Sequence, residues 1–302
     1  MTRSRPIARE ALTGAAIHAI LIASVVFAVY PILWVIALAM SPSEAPSARL
    51  LPIPTPLRDP AAFGGIGRAL WHVTDNFREV VSRSDDAGHW LFGTQLANSL
   101  LVSLATSLAA IAIATPAAYA LARFPFVGAR ASTRALMATQ MFPGVAASVP
   151  LYLLLDAMGL LDTRSGLVLV YATTSVPFAI FQLRGAFESI PRELEEAAMV
   201  DGATRFGAFV RVILPAARPA LAVTALFAFM TAWNEFILAA TFLSREETFT
   251  LPVVLQRYVG EYSAEWGHFA AGAIIVSVPV MILFYALQRH LVGGLTSGGV
   301  KG

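Results

Sequence analysis

The sequence predicts an all-α integral membrane protein with six transmembrane helices. Three observations lead there. Of its 302 residues, 57% are hydrophobic and only 13% charged; its mean hydropathy is +0.68; and its charges fall in short clusters between long uncharged runs. Soluble domains carry about a quarter charged residues, so composition argues against a soluble globular enzyme and for a polytopic membrane protein.

Residues 18–40, 90–122, 135–155, 165–183 and 269–288 contain no Asp, Glu, Lys or Arg, and 219–244 is interrupted only by Glu235. Each approaches or exceeds the ~20 residues that a helix rising ~1.5 Å per residue needs to cross about 30 Å of hydrocarbon. Barrel strands would alternate apolar and polar residues over about ten positions; stretches such as 20–29 do not. Helices satisfy their backbone groups within the segment, as lipid demands.

The elements follow in order. Residues 1–17 form an N-terminal segment and 18–40 the first span. Arg3, Arg5 and Arg9 ahead of this run and Ala37-Leu38-Ala39 at its end would also suit a cleaved signal peptide. The run is longer than the roughly 7–15 apolar residues of a signal and contains Tyr30, Pro31 and Trp34, so a retained span is expected. An outer segment, 41–94, opens with six prolines in twenty residues and reads as a connector leaning on a partner or on the chain's own helices. The second span, 95–122, carries Ser103, Ser107, Ala110, Ala114, Ala118 and Ala122 at four-residue intervals, apart from one step of three. Such a small-residue stripe suits close helix packing or a moving interface. An inner loop, 123–134, precedes the third span, 135–158. An outer turn, 159–164, leads to the fourth span, 165–183. The inner loop 184–218, the fifth span 219–243, the outer loop 244–268, the sixth span 269–289 and the tail 290–302 complete the chain. Pro116, Pro143, Pro150, Pro177 and Pro279 are expected to kink spans and free carbonyls along a cavity.

Basic residues beside spans favour the cytoplasm. With the N-terminus inside, the inner segments hold Arg3, Arg5, Arg9, Arg123, Arg130, Arg134, Arg184, Arg192, Arg205, Arg211, Arg218, Arg289 and Lys301, which is 13 of the 21 basic residues. Both termini are therefore expected to be cytoplasmic, and membrane lipid to be a partner.

Absent motifs narrow the function. A P-loop needs a lysine close to a glycine-rich turn, and the one lysine is Lys301, so any ATP must be bound by another subunit. Gly65-Ile66-Gly67 continues to Leu70 where a dinucleotide fingerprint needs a third glycine. His18, His72, His89, His268 and His290 lie far apart and there is no cysteine, so no metal site is expected. No catalytic residue and no nucleic-acid partner are expected either. Ion-coupled carriers place costly ionisable groups deep in the bilayer. Here Glu235, within Trp233-Asn234-Glu235-Phe236, is the one clear case, and Asp156 stands at the outer end of the third span. Glu235 is either hydrogen-bonded between helices or part of a gate or solute path.

The inner loop has a defined pattern. Pro191 opens a short helix whose Glu193, Glu195 and Glu196 oppose the positive N-terminus. Gly202 supplies a left-handed stop. Thr204 caps a second helix through Phe206, Phe209, Val210 and Ile213 until Pro215 interrupts it. Leu194, Ala197, Ala198 and Asp201 share one shallow face, which fits either an amphipathic hairpin on the membrane or close apposition to another surface.

Glu196-Ala197-Ala198, three residues, Gly202, nine residues, then Val212-Ile213-Leu214-Pro215 resembles the EAA loop of ABC importer permeases, with valine in place of the usual isoleucine. The resemblance implies the type I importer permease architecture, with 95–289 as the permease domain. It also implies coupling helices seated on an ATPase subunit through Glu196, Ala197, Ala198 and Gly202. The closing stretch Gly294-Leu295-Thr296-Ser297-Gly298-Gly299-Val300-Lys301-Gly302, together with Trp266-Gly267-His268-Phe269-Ala270-Ala271, is similar to the carbohydrate branch of that family, the maltose/maltodextrin (MalG-type) permeases. It implies that Thr296, Ser297, Gly298, Gly299, Val300 and Lys301 enter the ATPase interface. In the outer loop, Val259, Gly260, Glu261, Tyr262, Ser263, Ala264 and Glu265 resemble, less closely, the tip that contacts the periplasmic binding protein; an ordinary solvated turn is the other reading.

The resemblance implies a non-catalytic subunit in the bacterial inner membrane. Its partners would be an ATPase dimer that binds ATP and Mg, a second, MalF-like permease and a periplasmic sugar-binding protein. No sugar ligand is assigned on this chain. A stand-alone proton- or ion-coupled carrier using Glu235 is the main alternative, and a membrane-embedded enzyme or assembly scaffold is another.

Overall fold

The computed structural model describes residues 5–42, 51–260 and 264–298, and the side chains of 13–42, 51–260 and 264–288. In chain order the helices are α1 (Arg5–Ala39), α2 (Thr55–Arg58), α3 (Ile66–His72), α4 (Asp75–Ser82), α5 (Leu91–Arg123), α6 (Ala129–Gln140), α7 (Ser148–Ala157), α8 (Arg164–Ser189), α9 (Arg192–Val200), α10 (Arg205–Ala208), α11 (Leu214–Ala216), α12 (Arg218–Trp233), α13 (Ile237–Phe242), α14 (Leu251–Arg257) and α15 (Trp266–Gly298). Among the described residues there are also two 3-10 turns, Pro60–Phe63 and Gly144–Ala147, a π turn at Phe209–Ile213, and one isolated bridge between Ser84 and Trp90.

Among the described residues, four helices are long and apolar enough to cross a membrane: Thr13–Ala39, Leu91–Arg123, Arg164–Ser189 and Trp266–Gln288. Two bent pairs, Ala129–Gln140 with Gly144–Ala157 and Arg205–Ala216 with Arg218–Trp233, bring the number to six if each pair is one span. The chain divides into two compact units, Met1–Arg83 with Leu255–Ile275, and Ser84–Val254 with Val276–Gly302.

In the first unit, α1 exposes Ile20, Phe27 and Ile32, an apolar surface suited to lipid. Its last carbonyls have no partner within the helix. Buried Asn76 on α4 supplies one, its amide donating to the carbonyls of Ala39 at 2.8 Å and Ser41 at 2.6 Å. α15 begins against the same point, where a Cβ on Gly267 would stand 2.6 Å from Asn76 Nδ2. His268 meets Glu79 at 2.7 Å and Glu265 at 3.0 Å. Within this unit α4 thus leans on the end of α1 and the start of α15.

In the second unit, α5 packs along α8 and α12. The small-residue stripe lies in that contact: Ser103, Ser107, Ala110, Ala114, Ala118 and Ala122 are all buried, and the Ser107 hydroxyl donates to the Ala225 carbonyl at 2.7 Å. Small side chains let these backbones approach closely.

Two uncharged runs are not single helices. The 135–155 run is shared by α6 and α7, which meet at 93°. Pro143 stands in the break, where it lacks a donor and disfavours helical backbone at Phe142. The other prolines act differently. Pro116, Pro177 and Pro279 sit inside continuous helices, and Pro150 sits in the first turn of α7, where a missing amide is tolerated. The 219–243 region is α12 and α13, separated at Asn234-Glu235-Phe236. Glu235 accepts from the N–H groups of Leu238 at 2.8 Å and Ala239 at 3.0 Å, so it caps α13. It also accepts from the Tyr171 hydroxyl at 2.6 Å.

The turn between α7 and α8 is locked to residues 244–248. Asp162 adopts the left-handed conformation, φ 56°, and its N–H donates to the Phe242 carbonyl. Its carboxylate accepts from the N–H groups of Ser244 and Arg245, the Thr248 hydroxyl and the Arg245 guanidinium. Partial burial pushes this carboxyl up, but the hydrogen bonds from Thr248, Ser244 and Arg245 outweigh it and hold the pKa down at about 2. The clasp therefore stabilises the fold fully above the ordinary value of 3.8 and loses that contribution as pH falls towards 2. Asp162→Asn is expected to lower the melting temperature of the detergent-solubilised protein at neutral pH, and the gap from wild type should close between pH 3.8 and about 2.

Candidate functional site in the inner loop

α8 ends at Ser189, and Pro191, in extended backbone, is the N-cap of α9. α9 ends in a left-handed cap: Gly202 has φ +89°, its N–H donates to Met199, and the Ala203 N–H donates to Ala198. These two bonds satisfy carbonyls the helix would otherwise leave open. The Thr204 hydroxyl then accepts from the Gly207 N–H at 3.0 Å, capping α10. Pro215 does not end this second helix. The backbone widens into a π turn over Phe209–Ile213 and continues to Ala216. That widening relieves the clash a proline ring makes with the carbonyl four residues earlier.

The loop grips α5 through a buried charge. Glu195 is 7% exposed; its Oε1 accepts from the Tyr119 hydroxyl at 2.5 Å and its Oε2 stands 3.4 Å from Arg123 Nε. That Nε makes no aligned hydrogen bond, so the contact is an ion pair set by distance. Arg123 also donates through Nη2 to the Ile190 carbonyl at 2.8 Å. Around the pair lies an apolar cluster of Ala118, Tyr119, Leu183, Phe187, Phe209 and Ile213. Tyr119 packs at 4.3 Å on Phe209 and edge-on to Phe187 at 5.9 Å. Such aromatic pairs add about 1 kcal/mol each beyond burial.

The opposite face is open. Leu194 and Ala197 are exposed, Val200 is 87% and Phe206 74% exposed. Of the four expected docking residues, Glu196, Ala197 and Gly202 are exposed and Ala198 is partly covered. A Cβ built at Gly202 meets nothing within 4 Å. The loop thus presents apolar side chains outward from a base that is bonded inward, an arrangement suited to binding a protein surface and not to chemistry.

The other expected sites lie elsewhere. Thr296, Ser297 and Gly298 belong to the last residues of α15, while Gly299, Val300 and Lys301 lie outside the described residues. Val259 and Gly260 follow α14, Ala264 and Glu265 precede α15, and Glu261, Tyr262 and Ser263 lie outside the described residues. The Glu265 N–H donates to the Tyr258 carbonyl at 2.8 Å, which ties residue 258 to residue 265.

Sequence reasoning missed Glu195, Tyr119 and Arg123 as a unit. Arg123 registered only as a flanking positive charge and Glu195 only as one of three N-terminal glutamates. One signal was present: an arginine directly ending an alanine-rich span with a tyrosine one turn earlier. Glu195→Ala leaves the Arg123 charge buried and unpaired and should cost about 3 kcal/mol or more; Tyr119→Phe, which removes one hydrogen bond to a charged group, should cost about 2 kcal/mol. Denaturant unfolding of the purified variants checks both values and their order.

Comparison with known proteins places this loop in context. The family profile described as "Binding-protein-dependent transport system inner membrane component" matches residues 96–297. The trehalose transport system permease protein SugB of Mycobacterium tuberculosis is 36% identical over 279 residues, which is 91% of this chain and 93% of SugB. The maltose/maltodextrin transport system permease protein MalG of Yersinia pestis is 34% identical over 292 residues, 94% of this chain and 92% of its own. The crystal structure of a bacterial ABC transporter that imports the acidic polysaccharide alginate contains a chain of the same fold, with a TM-score of 0.73 at 24% identity over 96% of this chain and 99% of that one.

Proposed function

The chain belongs to the family of binding-protein-dependent transport system inner membrane components, and on that footing we propose that it is the non-catalytic permease subunit of a sugar-importing ABC transporter. The observation that carries this reading is the inner loop, whose outward face is apolar while its inward face is tied to α5 by Glu195, Arg123 and Tyr119. An ATPase dimer that binds ATP and Mg grips α9 through Leu194, Glu196, Ala197, Ala198 and Gly202. When that dimer closes, α9 and the inner end of α5 move as one body and the membrane cavity turns outward. A periplasmic sugar-binding protein then delivers its cargo, with residues 259–265 as its contact, and hydrolysis resets the gate. A second, MalF-like permease completes the path. Both termini lie in the cytosol, and the tail 296–301 enters the ATPase interface.

The sugar we propose is of the maltose or maltodextrin type. Support comes from the resemblance of the tail and from relatives named for maltose/maltodextrin and trehalose transport. A stand-alone carrier is less well supported, since both Glu235 oxygens are engaged by the cap of α13 and by Tyr171.

Gly202→Leu tests the docking role. Its left-handed backbone makes any side chain cost about 1 kcal/mol, yet the space around it is open, so the chain should still insert. ATP-driven sugar uptake into vesicles carrying the whole transporter should be abolished. Uptake at the wild-type rate would remove Gly202 from the docking surface. Competition between labelled maltose and unlabelled trehalose in the same vesicles reads out the sugar, with maltose expected to be preferred.

A further inference from the structure

An apolar cavity of about 260 Å³ opens on the second unit between α5, α6 and α8. Leu121, Leu136, Met137, Pro177, Ile180 and Phe181 form its walls. Its polar lining is Thr133 and Arg184 at one end, where Arg184 donates to the Thr133 hydroxyl at 2.7 Å, and the uncharged Gln140 about two turns further along α6. On α6, Arg130, Thr133, Met137 and Gln140 recur at the spacing of one helix face, so Arg130 extends the lining face one turn beyond Thr133, at the Arg184 end.

The charge at that end is unbalanced. Arg184 has one carboxylate, Glu188 on its own helix at 2.7 Å. Arg130 and Arg134 are exposed, and no described residue makes an ion pair with either. An apolar slot ending in a cluster of guanidiniums, on a chain surrounded by lipid, matches one ligand in both its halves. Hydrocarbon fills the slot without any hydrogen-bonding demand, and an acidic headgroup meets the arginines; basic pockets between membrane helices on the cytoplasmic side bind anionic lipid in this way.

We propose that this cavity is a binding site for one anionic phospholipid, its acyl chain beside Met137 and Phe181 and its phosphate between Arg130 and Arg184. The orientation rests on the reading of residues 123–134 as cytoplasmic. The arginines then lie at the headgroup level of the inner leaflet, where acidic lipids pair with juxtamembrane arginines. A lipid held there braces α6 against α5 and α8 next to the Tyr119–Glu195 contact, and so stiffens the lever that the inner loop uses.

The test uses the complete transporter, purified in mild detergent and examined by native mass spectrometry after exposure to phosphatidylglycerol mixed with phosphatidylcholine. Wild type is expected to retain one phosphatidylglycerol in preference to phosphatidylcholine. Arg130→Gln should reduce that preference roughly fivefold, and Met137→Trp, which fills the slot, should reduce retention of both lipids. Equal retention by wild type and all variants overturns the proposal. A photo-reactive residue at position 137 supplies an independent reading: a phospholipid adduct supports the site, and an adduct with a peptide of another subunit overturns it by showing a protein interface. Copurification of the ATPase is scored in the same samples, so loss of the functional reading is seen separately from loss of the lipid site.

Discussion

A carboxylate and a guanidinium buried together at the C-terminal end of α5 set the terms for the rest of this protein. Glu195 lies between Tyr119 and Arg123 beneath a lid of Phe187 and Phe209. Separating the pair would leave a charge without a partner in a poorly solvated place, and the cost of that exceeds what most surface contacts contribute. The inner loop consequently behaves as an extension of α5. Because its inward face is fixed, its outward face is fixed too, and Leu194, Val200 and Phe206 are held at the surface. Force applied to that face has a rigid route to the membrane helices.

The joints of the fold are local and chemically identifiable. Pro143 sets the bend between α6 and α7, and Glu235 both ends one helix segment and starts the next by capping α13. The turn between α7 and α8 is fastened by Asp162, whose six polar contacts with residues 242–248 tie the start of α8 to the end of α13. Between these joints the helices pack through alanine and serine, with α5 in contact with α8 and α12. Rigid segments meeting at defined points are the parts a passive gate needs.

What could be read from the sequence was whatever depends on neighbouring residues. Uncharged length marked α1, α5, α8 and α15, because lipid imposes that length on any helix. Gly202 and Thr204 were legible as stop and cap, because each acts within three residues of its own position. A kink at Pro143 was expected, but its size, 93° between two separate helices, was not legible, since hydropathy counts apolar residues and takes no account of direction. Glu195 was not distinguished from Glu193 and Glu196, because its partner Tyr119 lies 76 residues away in the chain. The second helix of the loop was read as running through Phe206, Phe209, Val210 and Ile213 with no side of it assigned to the core; Phe209 and Ile213 are buried and Phe206 is exposed. Which side of that helix faced the protein depended on the Tyr119 cluster, a tertiary fact.

The central claim is that an outside motor holds the exposed face of α9 and moves the membrane helices through it. The chain contains no cysteine, so a single cysteine introduced at Val200, the most exposed large apolar residue of α9, carries a cross-linker at one defined point. In the intact transporter in membranes, the account requires that this linker capture a nucleotide-hydrolysing subunit and that the captured complex stop importing. A cross-linker at position 200 that reaches only lipid, or captures the ATPase while import continues unchanged, would contradict it.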